Sequence, residues 1–188
     1  MFRPIIAAFL LAVPSVAAVA QSERTGDWAV GAMPNGCMLQ AVSPQGTMLS
    51  VWGTAGDAKL GFLLQNKDWR ALRDGARYEL KLDFLGVSSV PVEATARREI
   101  DSDGPGFYFQ LEPGGRGGKA FMDAFSTAQG MRISQEGQSV DTLSLAGSKG
   151  AMSSLAKCLS DHWSDGQAAA AEPQAEPEAP EHDGVATI

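Results

Sequence analysis

The sequence predicts an α+β domain: an antiparallel β-sheet, built as a sandwich or a partly open barrel, with two helices in the second half of the chain. Three observations predict it. Apolar and polar residues alternate in many short runs, Gly, Pro, Asn and Ser cluster between those runs, and only two late segments carry helical spacing. No internal repeat is visible.

Taken in order, short strands are expected at 28–30, 37–42 and 48–52, separated by Pro34-Asn35-Gly36 and Ser43-Pro44-Gln45-Gly46. Residues 60–64 are apolar apart from Gly61, which suits a strand covered on both faces. Tyr78, Leu80, Leu82 and Phe84 alternate with Glu79, Lys81 and Asp83, giving one apolar and one wet face. Val90, Val92, Ala94 and Ala96 repeat that period, although Pro91 lacks an N–H and pushes the start of this strand towards a sheet edge. Phe107, Phe109 and Leu111, then Met131 and Ile133, supply two more. Phe121, Met122, Phe125 and Ala128 recur at helical intervals and stop before Gly130. Met152, Leu155, Ala156, Leu159 and Trp163 do the same behind Ser148, which is the expected N-cap.

The two ends of the chain differ from this middle. Residues 1–20 begin Met1-Phe2-Arg3, continue through an apolar run and finish on Ala18-Val19-Ala20, the layout of a secretory signal peptide whose cleavage leaves Gln21 first. The run is short and carries two prolines, so no transmembrane segment is expected after cleavage. Residues 167–188 hold three prolines, four consecutive alanines and five acids without a base, and are expected to form a disordered acidic tail. One domain, residues 21–166, lies between. The 188-residue chain has a formal charge of −7; removing Arg3 and the five tail acids leaves 14 basic and 17 acidic residues, a net of −3. That balance lacks the basic footprint of a nucleic-acid binder.

An exported chain meets an oxidising compartment, and Cys37 and Cys158 are its only cysteines. A single disulfide is expected, which on the loop-entropy model restricts the unfolded chain by about 4–5 kcal/mol. A reactive or metal-binding thiol pair is disfavoured, since there is no Cys-x-x-Cys and no histidine or acid adjacent to either cysteine in the chain. Neither a metal nor a cofactor is expected.

Catalytic signals are sparse. Of two histidines, His182 lies in the tail and His162 at the frayed end of the last helix, so a Ser-His-Asp or Cys-His arrangement lacks its base. Asp101-Ser102-Asp103-Gly104 misses the aspartic-protease motif by one inserted acid. Glu93, Glu112 and Asp123 are nominal candidates for a carboxylate-dependent glycan hydrolase, without any spacing that pairs them. The stretch Gly114-Gly115-Arg116-Gly117-Gly118-Lys119 fails as a phosphate loop, having Pro113 where the first glycine belongs and Ala120 after the lysine. A flexible turn is the better reading, with Arg116 and Lys119 available to an anion. Lys67, Arg70, Arg73 and Arg77 come at three- and four-residue intervals around Trp69 and Leu72; a solvated turn with those two apolar residues tucked inward is favoured over a basic docking face. Trp28, Trp52 and Trp163 suit core or rim positions better than a ligand cage.

The patterns Asn66-x-x-Trp69-x-x-Leu72-x-x-Gly75-x-x-Tyr78 and Leu145-x-Gly147-Ser148-x-x-Ala151-x-x-x-Leu155-x-x-Cys158 are similar to signatures of small exported alphaproteobacterial domains. With the Trp28-Ala29-Val30 strand, the second pattern resembles the invasion-associated locus B family over residues 27–159. The resemblance implies a periplasmic, β-rich, non-enzymatic domain connected with the cell envelope or host interaction. The export signal, the cysteine pair and the lack of catalytic constellations make the expected function an exported binding or envelope-associated protein whose partner is an envelope protein or glycan. The rival expectations are an inhibitor of a secreted hydrolase, acting through 102–106 or 114–118, and the glycan hydrolase above.

Overall fold

Ten strands form one antiparallel sheet in the computed structural model, which describes residues 23–98 and 104–170. Five come in a meander: β1 (Glu23–Thr25), β2 (Trp28–Met33), β3 (Gly36–Val42), β4 (Met48–Thr54) and β5 (Leu60–Gln65). A second meander, β6 (Arg77–Phe84), β7 (Ser88–Arg97) and β8 (Gly106–Leu111), attaches through β8 to β5. Helix α1 (Arg116–Thr127) then leads to β9 (Gly130–Gln135), which pairs with β6, and the β9–β10 hairpin (β10, Gln138–Ser144) ends the sheet. Helix α2 (Ser148–Ala170) follows.

The sheet curls so that side chains near its first strands reach the segment around its last. The Trp28 indole on β2 donates to the Ala146 carbonyl beyond β10 at 3.1 Å, and the Ser43 hydroxyl donates to the buried Asp141 carboxylate on β10 at 2.9 Å. Of the two expected arrangements, this single curled sheet is the partly open barrel. Alternation decides which side chains fill it: Leu39, Val51, Phe62, Leu80, Leu82, Ala94, Phe107 and Ile133 are all buried. Helix α1 plugs the concave side. Phe121 has its ring centroid 5.1 Å from those of Phe62 and Phe84 and 6.4 Å from that of Phe109, while Phe125 meets Trp28 edge-on at 5.5 Å.

Every residue of β5 is buried, as its apolar run implies, but the outer cover comes from side chains. Trp52 and Tyr108, on the strands either side of β5, stack with centroids 5.7 Å apart. Gly61 makes room for them: a Cβ there would sit 2.4 Å from the Trp52 ring. Pro91 lies well inside β7, opposite Lys81 of β6. It is tolerated because β7 pairs with β8 only through Thr95, Ala96 and Arg97, so the first part of an interior strand is an edge.

Two expectations are corrected. Ser148 is the first residue of α2 and does not cap it; its buried hydroxyl donates to the Phe125 carbonyl at 2.7 Å, tying the two helices together. The glycine-rich stretch is not a free turn, since Arg116 to Lys119 form the first turn of α1. Gly118 is needed there because a Cβ would come within 1.8 Å of the Glu112 carbonyl oxygen.

The signal-peptide reading of 1–20 lies outside the described residues. Helix α2 runs to Ala170 and overlaps the first four residues of the segment read as tail; the rest of that segment, the Trp163 side chain and 101–103 are also outside them. Among the described residues no helix is long and apolar enough to cross a membrane.

A candidate ligand groove between the helices

Helix α1 reaches the concave side because it must connect β8 to β9 past β7 and β6, and α2 returns from β10 to lie against β2 and β3. The two helices leave a groove of about 690 Å³ between them, a size usual for small-molecule sites. Its floor is apolar, with Leu60, Met122, Met152, Leu155 and Leu159. Lys119 and Asp123 of α1 and Lys149 of α2 stand at its rim. Lys119 Nζ lies 3.2 Å from Asp123 Oδ2, one helical turn along. The exposed Lys149 ammonium has no carboxylate partner among the described residues.

Sequence spacing assigned Met152, Leu155, Ala156 and Leu159 to a core stripe. Leu155 is buried, but Met152 and Leu159 are half-buried and Ala156 is exposed, because the stripe lines an open groove. Leu159 also reaches the sheet, where a Cβ on Gly53 would come within 2.8 Å of it.

The Cys37–Cys158 disulfide clamps this wall of the groove to β3, with Cα atoms 6.1 Å apart. Cys37 is fully buried and Cys158 half-buried. His162 lies one turn beyond Cys158, and its nearest ring nitrogen and both sulfurs all lie within 4.8 Å of one another. Chain adjacency alone gave no histidine beside either cysteine; the i, i+4 spacing on a helix was the signal that finds it.

The other residues singled out in the sequence are spread over the surface. Lys67, Arg70 and Arg73 are exposed in the turn between β5 and β6, where Leu72 is buried and Trp69 packs against Phe107 with centroids 5.2 Å apart. That is the solvated turn expected. The Arg73 backbone N–H donates to the Tyr78 hydroxyl at 3.3 Å, and Asp74 accepts from the Arg98 N–H at 3.0 Å, which fixes the turn. Arg77 pairs with Glu93 at 3.3 Å on the outer face of β6 and β7. Arg116 and Lys119 follow the Leu111 end of β8, whereas the Lys67 turn sits at its Gly106 end, so the two basic groups do not converge. Lys119 alone joins the groove.

Among the described residues of the sheet, Asp83 and Tyr108 depart from their ordinary pKa. A hydrogen bond from the Ser89 hydroxyl, then the Lys81 ammonium 2.9 Å away, hold the Asp83 carboxyl below its ordinary range. Burial pushes the Tyr108 phenol up, and the Asp57 carboxylate adds to it. Neither lies in the groove. Of the nominal glycosidase acids, Glu93 and Asp123 are engaged by cations on separate elements and Glu112 is exposed after β8. Comparison with protein-family models, with curated proteins and with solved structures finds no match.

Proposed function

We propose that the chain is an exported, non-catalytic binding protein that holds an amphiphile with an anionic head, an acyl chain ending in a carboxylate, in the groove between α1 and α2. The observation that carries this reading is an apolar floor with a lysine on each wall, Lys149 having no carboxylate partner among the described residues. Methionine suits such a floor, because its unbranched thioether chain adapts to ligands of irregular shape. The N-terminal signal pattern, a cysteine pair suited to an oxidising compartment and the resemblance to the invasion-associated locus B family support the exported, envelope-associated setting. On this reading the envelope partner, expected to be a protein or glycan, is instead an acyl-bearing component.

Calorimetric titration with dodecanoate, using dodecanol as the neutral control, tests the reading. One dodecanoate per chain is expected, with Lys149→Glu weakening it at least tenfold, about 1.4 kcal/mol. Equal affinity for the alcohol, or no effect of Lys149→Glu, overturns it.

A further inference from the structure

The disulfide and His162 carry a second inference, independent of the groove. Cys37 comes from the buried start of β3, Cys158 and His162 from successive turns of α2, and all three donor atoms lie within 4.8 Å of one another. Two sulfurs and an imidazole are a zinc donor set. Zinc holds thiolate at about 2.3 Å and imidazole at about 2.0–2.1 Å in a tetrahedron, so its ligand atoms stand roughly 3.5–3.8 Å apart. In the oxidised chain the two sulfurs are bonded to each other and are not available to a metal. Once that bond is broken the sulfurs separate, and the imidazole needs to close by at most about 1.3 Å, within side-chain reach.

We propose that reduction converts the clamp into a zinc site formed by Cys37, Cys158 and His162, so that α2 is held to β3 by either a covalent bond or a metal. A dithiol reductant supplies two electrons and two protons; the Cys37–Cys158 bond breaks, both sulfurs become thiols and the dithiol closes to its own disulfide. Zinc then displaces the two thiol protons to solvent and takes the free nitrogen of a neutral imidazole. Cys37 is buried while Cys158 and His162 are half-buried, which leaves the outer side of the tetrahedron for water. Asp161 is not part of the set, because it faces solvent and pairs with Lys157 at 2.7 Å.

The test uses the full chain, reduced with a dithiol, desalted without oxygen and titrated with cobalt(II), whose thiolate charge-transfer band reports sulfur ligation. One cobalt per reduced chain is expected, displaced stoichiometrically by zinc, with no band from the oxidised chain. His162→Ala keeps its disulfide and its fold when oxidised; when reduced, it should bind zinc at least tenfold more weakly. Absence of the band, or unchanged zinc affinity in His162→Ala, overturns the proposal. Near-UV circular dichroism covers the case in which the reduced chain loosens: restoration of the oxidised spectrum by zinc supports the site, and failure to restore it counts against it.

Discussion

The two helices are held to the same sheet by different means. Helix α1 is short and buries Phe121, Ala124 and Phe125 against aromatic side chains from both meanders, so its attachment is hydrophobic and central. Helix α2 is nearly twice as long, yet among its described side chains only Ser148, Ala151 and Leu155 are buried. It compensates with the disulfide to β3 and the Ser148 hydrogen bond to α1. A helix with a large buried aromatic face needs no such tie. One whose apolar stripe is half spent on an open groove does, and the tie keeps the groove's second wall in place.

The largest effect expected from breaking this contrast is at Phe121. Phe121→Ala removes the ring that touches Phe62, Phe84 and Phe109 and should cost about 3–5 kcal/mol in chemical denaturation. A cost under about 1 kcal/mol would show that α1 is not the central plug. Next comes the clamp: in zinc-free buffer, the Cys37→Ala/Cys158→Ala double variant should lose about 2–5 kcal/mol, with hydrogen exchange accelerating in α2 before α1. Uniform acceleration in both helices would erase the distinction. Ser148→Ala orphans the Phe125 carbonyl and should cost about 1–2 kcal/mol while leaving the disulfide intact. An unchanged melting temperature would mean that the hydroxyl contributes nothing to holding the helices together.

The smallest effect lies away from both helices. The folded Asp83 carboxyl is held below its ordinary range, so its contribution is present at neutral pH. That contribution is lost as the pH falls through the unfolded value of about 3.9 towards the lower folded one. Asp83→Asn should flatten the acid limb of the stability curve by a few tenths of a kcal/mol, the pair being partly open to solvent. A change above that window instead would assign the limb to other groups.

Much of the sheet was legible because period-two alternation survives wherever a strand has one wet face, as in Tyr78 to Phe84 and Phe107 to Leu111. Strand β10 was not. A register shift between Ser139 and Asp141 breaks its period, and the inward residue at 141 is an aspartate answered by Ser43, which lies 98 residues earlier in the chain. Strand β1 reads Glu-Arg-Thr and carries no apolar residue to betray it. The groove was visible only in fragments. Lys119 stands out in the sequence for its glycine-rich surroundings, whereas Lys149, Met122 and Met152 meet only because α1 crosses the sheet and α2 folds back. His162 reads as a frayed end from its place in the chain, although its helical spacing from Cys158 brings it near the sulfur.

The groove is tested most directly by methyl spectra of methionine-labelled, oxidised chain during titration with dodecanoate. Saturable shifts are expected at Met122 and Met152, which line the groove, with Met38 and Met48 on the outer face of the sheet unmoved. No shift at Met122 and Met152, or a shift centred on Met48, would contradict it.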